Sequence, residues 1–435
     1  MNTYSINELK KSELNSIRIL KRGVWLYFFF LLFEGGLRKW ILPGLATPLL
    51  IVRDPLAIWI LIVALQRGFL KKNTYVAIIV VVGLIAFFAA MFVGHQNLYV
   101  AIFGLRILLI HFPLMFVIGN IFSKQDIIKL GRILIYISFP MLLLIAFQFF
   151  SPQSAWINRG VGGDMEGAGF SGAMGYFRPP GTFSFTSGNA QFWAFVTPFI
   201  FYFWLVPQKI NRSLLLGATG ALLLSIPLSI SRSVFFAVML TFLFALLIFI
   251  RQPKFLGRIF ISIVAIFFLL VALTQLPVFK TGSEVFIERF TSANKIEGGL
   301  EGVFLDRFLG GMIGAITESH GIPFFGYGIG MGTNVGSKLL TGKATFLIAE
   351  GEWGRLIGEM GVLLGLVVIL TRVLFVFKVT LLAFKRIKYG DILPWLLLSF
   401  GALAILQSQW AQPTSLGFST LIGGLIIASL KKNKF

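Results

Sequence analysis

The sequence predicts an all-α polytopic membrane protein, and three observations carry that expectation. Hydrophobic residues make up 57% of the 435 residues and charged residues only 13%, whereas a soluble surface needs about a quarter of the chain charged. Apolar runs of about 20 residues, the length that crosses a hydrocarbon core, recur along the chain. The basic residues fall in alternate gaps between those runs, so the formal charge of +21 concerns position before it concerns partners.

In chain order, residues 1–23 are polar and basic, with no cleavable signal peptide, and form a cytoplasmic N-terminal segment ahead of a first helix that is its own insertion signal. Windows at 24–42, 54–70, 74–93, 98–119 and 133–150 are transmembrane helices 1–5, within 24–150. Asp54-Pro55 reads as the start of the second, with Asp as cap and Pro at the first helical position. A long segment, 151–187, separates these from helices 6–9 within 188–275, at 188–206, 213–230, 233–250 and 257–275. A second long segment, 276–354, precedes helices 10–12 within 355–430, at 355–377, 391–410 and 414–430, and 431–435 is a cytoplasmic tail. About twelve transmembrane helices result.

The charges test this count. With the N-terminus cytoplasmic, 23 of the 38 Lys and Arg fall on the inside, against Glu8, Glu13, Asp126 and Asp391 as the inside acids. The positive-inside rule then holds at every even gap, both termini face the cytoplasm, and nucleic acid drops out as a partner. With Arg372 set aside near the inner end of the tenth span, the outer and buried remainder is 14 basic against 13 acidic residues. The two long segments are therefore extracytoplasmic. Loops of that length are functional or disordered, and these keep Phe, Trp, Ile and Leu among their glycines, which argues for order. In the second, 303–319 reads as a short amphipathic helix on the outer surface. The chain has no Cys and three scattered His, so no thiolate chemistry, metal site or cofactor is expected.

Four motifs could carry chemistry. Arg178-Pro179-Pro180-Gly181-Thr182-Phe183 presents a guanidinium from a stiff loop, suited to bidentate binding of phosphate, and Thr186 or Ser187 would cap the helix that follows. Ser231-Arg232-Ser233 puts an arginine at the outer hydrocarbon boundary, where an ionisable group reads as functional. Lipid headgroups are the competing partner of both arginines. Asp306-Arg307 precedes Pro323-Phe324-Phe325-Gly326-Tyr327-Gly328-Ile329-Gly330-Met331-Gly332, which is not a dinucleotide fingerprint because no βαβ unit surrounds it; it reads as a turn-rich segment able to fold over a headgroup. Glu350, Glu352, Arg355 and Glu359 lead into the tenth span, the last three near one helical face. A carboxylate there could act as a base, or all three acids could only neutralise arginines. Glu34 with Arg38, and Arg106 with His111, read as structural charges facing the bundle interior.

These motifs, in this order over about 150–375, resemble the O-antigen ligase and polymerase superfamily: Arg-x-x-Gly-Thr-Phe at Arg178, Ser-Arg-Ser at Arg232, Arg307 ahead of Pro-x-x-Gly-x-Gly-x-Gly, and Glu-x-Gly at Glu359. The resemblance implies a GT-C-like, metal-independent integral-membrane glycosyltransferase in the bacterial cytoplasmic membrane. Its substrate would be a polyprenyl-diphosphate-linked glycan, and membrane lipids and a chain-length regulator would be its partners. Arg178 and Arg232 match the family's diphosphate-binding arginines, and Arg307 and Arg355 are further candidates for the donor. The ligase branch places a His-Asn pair nine residues before the Glu of Glu-x-Gly, where this chain has Glu350-Gly351. The departure favours a polymerase-like member with Glu350 or Glu352 as the base that activates the acceptor, His320 substituting only if its loop approaches. A ligase, a transporter or flippase of lipid-linked sugar, and a non-catalytic scaffold are the alternatives.

Overall fold

The computed structural model describes residues 3–297, 311–317, 321–343 and 345–431. Within them the regular structure is helical apart from one β-hairpin. The helices are α1 (Thr3–Gly36, prolonged by a π-helical turn Leu37–Ile41), α2 (Pro43–Gln66), α3 (Thr74–Phe92), α4 (Leu98–Ile121, with a π-helical turn at Ile107–His111) and α5 (Lys124–Phe150). The hairpin β1 (Phe170–Ala173) and β2 (Tyr176–Arg178) follows. Then come α6 (Thr186–Leu205), α7 (Arg212–Leu228), α8 (Arg232–Arg251), α9 (Leu256–Leu273), α10 (Pro277–Glu297), α11 (Gly311–Thr317), α12 (Asn334–Thr341), α13 (Glu352–Ile387), α14 (Leu393–Leu406) and α15 (Pro413–Ser429).

Among the described residues, seven helices are long and apolar enough to cross a membrane, namely α2, α3, α4, α5, α8, α13 and the helix of Pro253–Leu273 that contains α9. The molecule is thus a multi-pass membrane protein. α7, α14 and α15 are apolar but shorter. α6 and α15 are buried nearly all round and form the centre of the bundle, while α3, α8 and α9 turn large apolar side chains outward, as lipid-facing helices do. α15 packs along the second half of α4, where Gly119, Gly423 and Gly424 leave room for Ile427, Met115 and Ile118. Small residues at such a seam let membrane helices approach closely.

Hydrogen bonds define the two ends of the bundle. At one end Lys21 meets Asp126 at 2.6 Å, Lys124 meets Asp391 at 2.6 Å, and Asn120, Lys431 and Arg386 bond the carbonyls of Phe69, Asn120 and Leu430. This is the basic end. Its helix starts follow the sequence closely: Asn73 and Asn211 cap α3 and α7, and Ser123 with Asp126 forms a capping box on α5.

Several expectations change here. An α-helical stretch of α2 does start at Arg53, beside the expected Asp54-Pro55, but Asp54 makes no capping bond; its carboxylate is bonded to Arg106 and His111. Within 276–354, Pro277–Glu297 is a further helix, packed on α7 and on β1. Of the expected amphipathic helix 303–319, Gly311–Thr317 is helical and packs on α13, and the rest lies outside the described residues. The eleventh window ran to residue 410, but α14 ends at Leu406. The largest change is in α13, where Gly361 has φ 75° and ψ 167°. In a straight helix Glu352 and Arg372 would stand about 30 Å apart; here their side chains are 2.8 Å apart. The stretch before Gly361 folds back along the span that follows it. Arg372 consequently lies level with Glu352 inside the bundle, not near the inner end of the span.

Candidate functional site

The segment after α5 returns across the ends of α1 and α5 and terminates in the hairpin, where Arg178 pairs with Phe170 and its guanidinium stands 5.8 Å from that ring. The Pro179-Pro180-Gly181 corner behind it is fastened from three helices. Gln148 accepts from Gly181 N at 2.8 Å and donates to Gly181 O at 3.2 Å; Lys39 Nζ donates to the same oxygen at 2.6 Å; Asn189 donates to Pro179 O at 3.0 Å. Thr182 Oγ1 donates to Leu32 O at 2.5 Å. Stiffness therefore comes from this set of bonds as well as from the prolines. Lys39 is 1% exposed and has no carboxylate in ion-pair range among the described residues.

The same hairpin lies against the turn that carries Arg232. Gly172 of β1 packs on Ile230, a buried non-glycine residue with φ 47°. Next comes Ser231, which precedes α8 without making a capping bond; it is 3% exposed and its hydroxyl has no partner. Arg232 is the first residue of α8. Below this turn α6, α7, α8, α9 and α10 enclose a cavity of about 480 Å³ with almost wholly apolar walls, among them Ile226, Pro227, Phe235, Phe242, Phe279 and Phe286. Pro227 and Phe235 of its wall lie on either side of the turn that leads into Arg232.

Opposite lies the start of α13. Glu352 is 3% exposed and all four of its acceptor positions are filled: Oε1 by Arg355 Nη2 and Arg372 Nη1, both at 2.8 Å, and Oε2 by Arg355 Nε and Trp410 N, both at 3.0 Å. Arg355 Nη1 reaches Glu359 Oε2 at 2.5 Å, and Glu359 Oε1 accepts from Gly332 N at 2.8 Å. Arg372 also lies over the Trp410 ring at 4.0 Å. Two carboxylates and two guanidiniums so neutralise one another. Expected as a base and as a donor ligand, Glu352 and Arg355 are instead committed to each other. Glu350 is the carboxylate of this motif whose side chain is exposed.

The glycine-rich segment is equally committed. Gly326, Gly328, Gly330 and Gly332 are all buried against α3, α4 and α13. Where Gly361 interrupts the helix, Tyr327 N and Gly328 N bond the carbonyls of Gly358 and Glu359 at 2.8 and 3.0 Å. The segment seals the fold-back of α13 rather than arching over an open site.

The sequence reading passed over residues 407–412. Gln409 Nε2 donates to Glu350 O at 2.5 Å, Gln412 bonds Gln409, and Gln412 also meets Ser187 of α6 at 3.5 Å; Gln191 donates to Ser415 at 2.7 Å. This loop joins the Glu350 motif to the start of α6, just beyond the Arg178 loop. The signal was Gln407-Ser408-Gln409, three polar residues absorbed into an apolar window. Thr186 and Ser187 were expected to cap α6, but no side chain does, and the Thr186 hydroxyl is buried without a partner. α8, α13 and α15 also start without a side-chain cap, leaving first-turn N–H groups and the positive ends of four helix dipoles free of capping side chains around one region.

A second buried charge cluster lies on the other side of the loop 410–413. Glu34 holds Arg38 at 3.3 Å and Arg53 at 3.2 Å; Asp54 holds Arg106 at 2.5 Å and His111 at 3.0 Å, and His111 meets Tyr27 at 3.1 Å. It extends to the first motif through Arg38 and Ser184 at 2.9 Å. Arg307 and His320 lie outside the described residues. The structure thus packs the hairpin of Arg178 on the turn that precedes Arg232, and the glutamine loop runs from the Glu350 carbonyl to Ser187 at the start of α6. Comparison with protein-family models, with curated proteins and with solved structures found no match.

Proposed function

We propose that the protein polymerises polyprenyl-diphosphate-linked oligosaccharide repeat units into a surface polysaccharide on the outer face of the bacterial cytoplasmic membrane, as a GT-C-like glycosyltransferase with twelve spans and both termini inside. One observation carries the reading: an apolar cavity at membrane level has in its wall Pro227 and Phe235, which bracket the turn of Ser231 and Arg232, and the hairpin of Arg178 packs on that turn through Gly172 and Ile230. That arrangement suits a ligand with a long hydrocarbon tail and a phosphate head. An apolar wall takes the tail, and the arginines and free N–H groups take the diphosphate.

In the proposed reaction an acceptor hydroxyl attacks the anomeric carbon of the donor glycan. Its oxygen forms the new glycosidic bond, the bond from that carbon to the diphosphate oxygen breaks with its electron pair, and the polyprenyl diphosphate leaves. Arg178 and Arg232 offset the charge gained by the leaving group, while Glu350, whose side chain is exposed, takes the acceptor's proton. Glu352 and Arg355 keep the scaffold in place. Fixed donors aimed at developing charge act without reorganisation, and losing one costs about 3 kcal/mol, or a hundredfold or more in rate.

Cells carrying Arg178→Ala or Arg232→Ala should accumulate single repeat units and lose long-chain polysaccharide at unchanged protein level. Normal chain-length ladders from both would refute the proposal. A transport reading draws on the Asp54, Arg106 and His111 cluster, since charges at this depth mark substrate paths in transporters. Polymer made by purified protein in detergent would rule transport out as the main function.

A further inference from the structure

The loop 407–412 sits at an unusual depth for its composition. α14 begins at the basic end and has 14 residues, so it rises about 21 Å against a hydrocarbon core of about 30 Å. The loop at its top is therefore below the far surface of the bilayer. Irregular backbone at that depth is tolerated only where protein buries it or water reaches it. Gln407, Ser408, Gln409 and Gln412 are half-buried, as are Ser187 and Gln191 facing them from α6, so they line an aqueous recess rather than contact lipid.

The chemistry of that lining is specific. Apart from Glu350 on the rim, the charged groups at this level are buried: Glu352, Arg355 and Arg372 are bonded among themselves, and Arg53 is held by Glu34 and Pro413 O. What the recess presents is amides and hydroxyls, each able to donate or accept. Trp353 on its wall is half-exposed with its indole N–H fixed to Leu406 O at 2.8 Å, which holds the ring as a rigid apolar face.

We infer that this recess is a binding subsite for an uncharged sugar ring of the glycan, held through its hydroxyls by Gln409, Gln412, Gln191 and Ser187 and stacked on Trp353. Neutral groups with both donor and acceptor capacity match hydroxyls; they discriminate against a diphosphate, which would seek the arginines. The inference rests on the proposed function and deepens it by assigning where the sugar nearest the reacting bond sits.

The chain has no Cys, so single cysteines report access cleanly. Gln409→Cys, Gln412→Cys and Ser233→Cys, the last at an exposed position beside Arg232, would be placed in the full-length protein in nanodiscs and treated with a charged, membrane-impermeant thiol reagent, with the exposed Ser154→Cys and the buried Ser399→Cys as limits. Residues 409 and 412 should react at rates near that of 154. Lipid-linked repeat units isolated from the native cells, at about ten times their dissociation constant, should slow both about tenfold, whereas polyprenyl diphosphate without sugar should protect 233 alone. Failure of 409 and 412 to react while 154 does would overturn the recess. Protection of 233 without protection of 409 or 412 by the glycan-bearing lipid would overturn the sugar site and leave the donor reading standing. Protection of 409 by the sugar-free lipid would assign the recess to the diphosphate and overturn the inference. No protection anywhere would remove both proposals.

Discussion

The two buried charge clusters differ in where their members come from and in how their charges balance. Glu352, Arg355, Glu359 and Arg372 all belong to α13 and cancel two against two. Glu34, Arg38, Arg53, Asp54, Arg106 and His111 come from α1, α2 and α4, and count three guanidiniums against two carboxylates. The first cluster closes a helix on itself and keeps Gly361 folded back. The second reaches outward, through Arg38 to Ser184, and with neighbouring Lys39 holds the Arg178 loop. The loop 410–413 ties them together, since Trp410 N bonds Glu352 and Pro413 O accepts from Arg53 Nη2 at 2.6 Å. Buried charge here serves two ends: one cluster fixes the fold of a single helix, and the other places a loop at the candidate site.

Substitutions can break that comparison, beginning with the harshest. Gly361→Val puts a branched side chain at φ 75°, with its Cβ overlapping Phe324 O; strain and overlap together cost about 5 kcal/mol, and the variant should elute aggregated from detergent gel filtration. Glu352→Gln leaves Arg355 and Arg372 without their shared carboxylate, at about 4 kcal/mol, read as a lowered melting temperature. Combining it with Arg372→Met should cost less than the two single changes added together, because the members act as one unit. Gly417→Ala intrudes where Arg53 Nη1 lies against α15 and should cost about 2 kcal/mol, loosening the second cluster while leaving the first intact. Lys39→Met should sharpen the contrast most. It removes one hydrogen bond, about 1 kcal/mol, yet a displaced Arg178 loop should lower turnover on the order of a hundredfold. An unchanged rate would show that Lys39 is only a buried cation and that the second cluster does not position the site.

What was legible in the sequence is what is local in the chain. Helix windows are visible because crossing a bilayer demands an unbroken apolar run, and Glu34 with Arg38, or Arg355 with Glu359, are visible because helical neighbours are three or four residues apart. The fold-back at Gly361 was not, since a glycine in an apolar run does not announce a positive φ, and Arg372 was consequently assigned to the wrong depth. Gln407 to Gln409 were hidden by averaging with the apolar residues of α14. Arg178 and Arg232 stood out as arginines of outer-surface motifs, but their approach depends on Gly172 meeting Ile230, a contact between residues far apart in sequence. Glu350 and Glu352 were indistinguishable by spacing; burial and bond counts separate them, because one faces solvent and the other has no acceptor position left.

The central claim is that one site holds a lipid diphosphate and transfers its glycan. Purified protein in detergent, supplied with lipid-linked repeat units from the native cells and no membrane, tests it directly. The expected product is a ladder of chains on polyprenyl diphosphate, absent with Arg178→Ala, Arg232→Ala and Glu350→Gln although each variant is folded. Repeat units left unjoined by the folded wild-type protein, or ladders undiminished in those variants, would contradict the account.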